Sequence, residues 1–273
     1  MPRVSAAAGI TALVVLVALI GAAWWWSQPK PEAALPAPAP AAAPPLAAAS
    51  IVEAASSPAS APTAGIVPSA PAAGAAPIEV GDGPVTDALV DYIGRAAVLQ
   101  LIQADRFVVR VVATVDNLPR GHVAPRLWPL NLSPGRFAVD DEGRIAAGNA
   151  RRYDASVRLL DGLPPARAAD LYRRLYPQLQ AAYVELGYPR GSFHARLLAV
   201  IDHLLNTPMA SSATRLQLIE VKGEVPSQRP WVRYEFADPA LQQLSAGQRL
   251  LLRLGPAHQA RIIEWLRALR PLL

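Results

Sequence analysis

Two groups of side chains have types and spacings that could do chemistry. Tyr172, Tyr176 and Tyr183 recur at helical spacing, so their rings share one helix face, with Leu179 among them. Such a face can stack on glycan rings. It can equally be a core stripe whose hydroxyls are bonded inside. Arg120, Arg126 and Arg136 punctuate a proline-rich stretch. Arginine in an irregular loop can clamp a carboxylate or phosphate through two parallel N–H donors, and loops carry function more readily than cores do. The structural alternative is that these guanidinium groups tie the loop to neighbouring helices by ion pairs.

The catalytic inventory is otherwise short. No GxSxG, HExxH, P-loop or GxGxxG pattern occurs. There is no cysteine, so nucleophiles reduce to Ser and Thr, and no disulfide staples the chain. His122, His194, His203 and His258 are the only histidines. His194 and His203 fall on opposite sides of one helix and cannot chelate a metal together. Asp202-His203 reads as an interhelical hydrogen bond or a partly exposed pair, with metal binding as the alternative. Asp140, Asp141 and Glu142 read as a turn, and Asp116 beside Asn117 as a helix terminus. Carboxylate pairs for sugar chemistry are set by tertiary distance and do not announce themselves by spacing. The sequence therefore assigns no catalytic residue, no metal site and no cofactor.

The elements that must position these residues are mostly helices. Thr86 predicts a helix start, with Leu89, Val90 and Ile93 inward and Gly94 at its end. Ala96–Ile102 is a second short apolar run. Arg106–Asp116 has helical spacing but β-branched content, and helix is the preferred reading. Pro125, Pro129 and Pro134 predict an extended irregular stretch, and residues 137–146 a small hairpin. Asn149 is expected to cap a helix to about Leu160. Pro164-Pro165 opens the next, to about Leu186, with Pro177 bending or restarting it. Ser192 caps Phe193–Leu205, whose Phe193, Leu197, Val200, Ile201 and Leu204 form one stripe. Strands are expected at Arg215–Val221 and Trp231–Phe236, joined by the loop Lys222–Pro230. Asp238-Pro239, Ser245 and Pro256 start the last three helices.

The N-terminal part has a different character. Val4–Trp26 is an uncharged apolar run of about 23 residues, or about 34 Å as a helix, enough to span a bilayer core of about 30 Å. Trp24, Trp25 and Trp26 suit the headgroup layer. Arg3 before the run places the N-terminus in the cytoplasm and the rest outside. Gly21-Ala22-Ala23 could instead serve a signal peptidase. From Ser27 to Pro77 the chain is mainly Ala and Pro, which favours polyproline II and cannot bury enough surface to order. About 50 such residues reach roughly 150 Å when extended. The 52% hydrophobic content is inflated by this alanine and does not describe a core.

Three segments result: a transmembrane anchor over residues 1–26, a disordered linker over 27–77, and a mainly helical exported domain over 78–273. The fold class is mainly α, with a small antiparallel β element. The net charge of +5 comes with Asp and Glu interleaved among the arginines, as in Arg151, Arg152, Asp154, Arg158 and Asp161, a pattern of solvated helix faces. Without Lys/Arg blocks, an exported domain is not expected to bind nucleic acid. Anionic lipid headgroups or cell-wall polymers are compatible partners.

Several segments carry a resemblance. Val112-Ala-Thr-Val-Asp-Asn-Leu-Pro-Arg-Gly121, Leu171-Tyr-Arg-Arg-Leu-Tyr-Pro177, Ala182-Tyr-Val-Glu-Leu-Gly-Tyr-Pro189, Val200-Ile-Asp-His-Leu-Leu-Asn-Thr-Pro208, Tyr234-Glu-Phe-Ala-Asp-Pro239 and Leu244–Pro256 are similar to an uncharacterised proteobacterial family known only as a domain of unknown function. The resemblance implies a single N-terminal span, a Pro/Ala linker and an exported helical domain. It implies no activity and no site residues. The expected function is an inner-membrane-anchored periplasmic binding or scaffold protein, single-pass, held to the membrane by its N-terminal helix and acting on an envelope protein or the cell wall. The alternatives are a peptidoglycan-binding or hydrolysing enzyme and an assembly factor for an envelope machine.

Overall fold

Gly94 makes the first corner. The helix α1 (Asp82–Ile93) stops there at φ 84°, a left-handed backbone that glycine takes at little cost, and α2 (Arg95–Leu101) leaves in a new direction. The computed structural model describes residues 70–71, 76–131, 133–219 and 233–273. The expected membrane helix with Trp24–Trp26, nearly all of the linker and the loop 222–230 lie outside the described residues. Among the described residues no helix is long and apolar enough to cross a membrane.

The β-branched run does fold as a helix, α3 (Phe107–Asn117), burying Phe107, Val111, Val112 and Val115. After the short 3-10 turns Pro125–Leu127 and Ala147–Tyr153 come α4 (Asp154–Asp161), α5 (Pro165–Glu185) and α6 (Phe193–Leu205). Two three-residue strands, β1 (Leu216–Leu218) and β2 (Tyr234–Phe236), pair antiparallel with Leu216 opposite Phe236. Then α7 (Pro239–Gln242), α8 (Ala246–Arg253) and α9 (Pro256–Leu269) complete the order. The mainly helical reading with a small antiparallel sheet is correct.

The main core lies where α3, α5, α6 and α9 meet. The stripe expected on α6 is fully buried at Phe193, Leu197, Val200, Ile201 and Leu204. Trp265 of α9 reaches across and donates its indole N–H to the Leu163 carbonyl at 2.8 Å. A smaller core of Phe137, Leu216, Phe236 and Leu252 sits with the sheet.

Caps behave largely as their chemistry demands. Ser192, Asp238 and Ser245 each accept a backbone N–H of the helix they start, and Ser245 forms a capping box with Gln248. Two expectations fail. α1 starts four residues before Thr86, whose hydroxyl donates to the Asp82 carbonyl at 2.6 Å inside the helix. Pro84 is tolerated there because a first-turn N–H lacks an intrahelical acceptor anyway. Asn149 caps nothing: it is buried, and its amide ties residue 138 to the 3-10 turn by bonds to Ala138 and Ala146. The helix expected from Pro164-Pro165 to about Leu186 is found as α5, which carries Pro177 inside its 21 residues without restarting. Tertiary packing of one long apolar face outweighs the local proline cost.

Candidate functional site

Asp116 is the best-enclosed carboxylate near the expected arginines, with 4% of its side chain exposed. The helical spacing of α3 turns it inward, next to the buried Val112 and Val115. Arg196 of α6 approaches Oδ1 at 3.0 Å, without the alignment of a hydrogen bond, and donates through Nη2 to the Asp116 carbonyl at 2.6 Å. Arg120 donates to Oδ2 at 2.6 Å and Tyr188 donates to the same oxygen at 3.1 Å. Arg120 also donates to the Tyr188 hydroxyl at 2.8 Å. One carboxylate thus joins α3, the turn after α5, and α6.

The three arginines singled out by sequence have different surroundings. Arg120 lies at the C-terminal end of α3, half exposed and tied to Asp116. Arg126 is exposed in a 3-10 turn whose carbonyl accepts from Arg110, beside the N-terminal half of α3. Arg136 is exposed next to Phe137 of the smaller core.

The tyrosines face the interior. Tyr172 is buried, and its hydroxyl bonds His194 Nδ1 at 3.0 Å. Burial pushes the Tyr172 hydroxyl well above the usual phenol range and holds the His194 imidazole below its ordinary value, with Arg270 adding to the latter. Tyr176 is half-buried and packs edge-on to His194. Tyr183 is buried and stacks on Tyr188, ring centroids 4.5 Å apart, with Phe193 on another side. His203 bonds Ser245 Oγ at 2.9 Å, and Asp202 pairs with Arg270 at 2.9 Å. Among the described residues no group of His, Asp and Glu is placed to hold a metal ion.

A cleft lies away from both groups. It measures about 370 Å³ and lies between the C-terminal end of α2, the segment around Asn131–Pro134, and the run from Arg151 to Arg158. None of Arg120, Arg126 and Arg136 lines it. Among the described residues its cations are Arg151, Arg152 and Arg158, and its one carboxylate is Asp154. Arg152 is a fixed part of the wall: Nε donates to the Pro134 carbonyl at 3.0 Å, Nη2 to Gly135 at 3.3 Å, and the guanidinium lies over the Tyr153 ring.

Sequence reasoning reads this run as a solvated face, because acids are interleaved with the arginines: Asp154 is three positions from Arg151 and four from Arg158, and Asp161 three from Arg158. The distant helix α9 decides otherwise. His258 takes Asp154 at 3.0 Å and Arg261 takes Asp161. Arg151 and Arg158 are left exposed, without an ion-pair partner among the described residues. No local pattern carries that information.

The family described as a protein of unknown function (DUF3014) matches residues 107–270, more than half of the chain, and the chain belongs to that family. The match begins at the first residue of α3 and takes in Asp116 and the Arg151–Arg158 run, leaving out α1 and α2. No curated protein and no solved structure matches the chain.

Proposed function

We propose that this family member is a membrane-anchored binding or scaffold protein. Its first 26 residues hold it in the inner membrane, and its helical domain meets an envelope partner in the periplasm. The observation that carries this reading is the attachment of the linker's end to the domain. Ile78 N–H donates to the Arg174 carbonyl at 3.1 Å. Arg174 Nε donates back to the Ala76 carbonyl at 3.2 Å, and Gln178 Nε2 donates to the carbonyls of Ile78 and Glu79 at 2.9 and 3.0 Å. All four bonds come from the middle of α5, the longest helix, whose inner face is core. Tension on the linker is then taken up by several bonds in parallel on a packed helix. That is what a leash needs, and a loose domain terminus does not.

The Ala/Pro tract supplies reach, and the basic balance of the chain favours an anionic partner. The glycan-stacking alternative gains nothing from the tyrosines, since Tyr172 and Tyr183 bury their rings.

The test is protease accessibility in cells expressing the full chain. The domain is expected to sediment with inner membranes, resist carbonate extraction, and be degraded by protease added to spheroplasts but not to intact cells. A domain released by carbonate, or protected in spheroplasts, would sink the proposal. In-cell crosslinking should then recover a specific envelope component, and recover less of it when residues 1–26 are replaced by a cleavable signal peptide.

A further inference from the structure

The arginine cleft has a use that the tether does not require. Arg151 and Arg158 stand at it with their sequence-local acids diverted to His258 and Arg261 of α9. Between them runs the first turn of α4, and Asp154, Ala155 and Ser156 all line the cleft. The 3-10 run Ala147–Tyr153 leads directly into α4, and the Asp154 N–H is already bonded to the Arg151 carbonyl, so the donors on offer here are side chains. Ser156 is 8% exposed, faces this space, and its hydroxyl makes no hydrogen bond among the described residues. That hydroxyl keeps contact with solvent in the open cleft, so it is accessible to a ligand.

We propose that this cleft binds a phosphate group. The cleft is lined by two exposed guanidinium forks and the Ser156 hydroxyl. A carboxylate has two oxygens, which one fork already occupies. A tetrahedral phosphate has enough oxygens to take both forks and the hydroxyl together. Arg152, held by Pro134 and Gly135, adds charge without having to move. Asp154 is the opposing charge, and its bond to His258 commits one oxygen away from the ligand. A cleft of about 370 Å³ admits a phosphate with a small substituent such as glycerol or a sugar. The phosphate can come from a soluble ester or from a lipid headgroup.

Titration calorimetry on the full chain in a non-ionic detergent, at constant ionic strength, tests this. The probes are inorganic phosphate, glycerophosphoglycerol as a water-soluble lipid headgroup, and acetate. At least one phosphate probe is expected to bind at one site, with acetate at least tenfold weaker. Binding of the diester alone would assign the lipid source, and of inorganic phosphate as well, the free group. Arg151→Gln/Arg158→Gln should weaken binding at least tenfold, and Ser156→Ala severalfold, with the helical circular dichroism unchanged. Arg190→Gln/Arg267→Gln, which removes the same charge from exposed sites outside the cleft, should change it less than twofold. The proposal is overturned if neither phosphate probe binds, if acetate binds equally well, or if both double variants weaken binding alike.

Discussion

Asp116 and Arg253 are opposite answers to the cost of burying a charge. Asp116 is enclosed together with Arg196, Arg120 and Tyr188. Removing it strands Arg196, 29% exposed, beside a buried void. Asp116→Ala should therefore cost about 2–4 kcal/mol in urea unfolding. Arg120→Ala, at a half-exposed i,i+4 pair, should cost below about 1 kcal/mol. Equal losses would mean that Arg196 is not what needs the carboxylate. Glu235 acts on Arg253 only from a distance, and Arg253 has no ion-pair partner among the described residues. It donates to the Tyr234 carbonyl at 2.7 Å, lies against the rings of Phe137 and Phe236, and leaves Nε unbonded. Burial pushes its guanidinium down to about 10, so it stays charged at neutral pH. Arg253→Met keeps the length and removes the desolvation penalty, so stability should be unchanged or raised by about 1 kcal/mol. A loss above about 2 kcal/mol would assign the ring contacts more weight than the charge costs. Two histidines add a pH term. Burial lowers His194 and His203 below the ordinary 6.5, so the unfolded chain binds protons more readily. Their contribution is complete above pH 6.5 and is lost as pH falls through that value toward their folded-state pKa. The urea midpoint should drop between pH 7.5 and 5.5, and less so in His194→Gln. An unchanged slope in that variant would remove His194 from the account.

At the scale of elements, the docking of α8 on α3 rests on a glycine. Gly247 N–H donates to the Leu118 carbonyl at 2.9 Å, and Ala246 N–H to Arg120 at 2.7 Å, so the two helix ends are sewn together. A Cβ on Gly247 would stand 2.8 Å from Leu204 Cδ2 and 3.1 Å from the Leu118 carbonyl oxygen. Leu204 is fully buried and Leu118 contributes backbone, so neither yields easily. Alanine is favoured over glycine in a helix by about 1 kcal/mol, but overpacking costs about 1–3 kcal/mol, so Gly247→Ala should lower the melting temperature. A rise would mean that the interface opens without strain. This contact also marks where sequence reading stops. Helix starts at Ser192, Asp238, Ser245 and Pro256 were legible because capping is local chemistry. So were the α6 stripe and the turn at Gly187 (φ 111°). The start of α1 and the 3-10 run before α4 were not, since each is decided by packing against another element, and so is the choice between bending and restarting at Pro177. The candidate site divides the same way. Arg120 was found as a loop arginine, but its partner Asp116 read as a terminus because Arg196 is 80 positions away. The cleft escaped notice because α9, not the neighbouring residues, claims Asp154 and Asp161.

At the scale of the whole molecule, the strap at residues 76–79 is where a leash would join a folded load. It is held by side chains that also serve the core: Arg174 Nη1 donates to the Tyr92 hydroxyl at 2.9 Å, and Tyr92 donates to Asp170 at 2.6 Å. Linker end, α1 and α5 are thus joined through one arginine. Arg174→Ala/Gln178→Ala deletes three of the four strap bonds and leaves Ile78 N–H on the Arg174 carbonyl, with the Ile78 side chain still buried. At about 1 kcal/mol net for each bond, local opening of the strap should become at least tenfold more frequent. The core helices α6 and α9 touch neither side chain's strap bonds, so their stability should barely move. Hydrogen exchange on the full chain separates the two. The Ile78 amide is expected to exchange at least tenfold faster, with Val200, Ile201 and Leu266 unaffected. If the Ile78 amide keeps its protection, Ile78 burial and its bond to the Arg174 carbonyl hold the junction without the two side chains. If the core amides lose theirs as well, the strap is part of the global fold and not a separable attachment, and the argument from tension to function loses its footing.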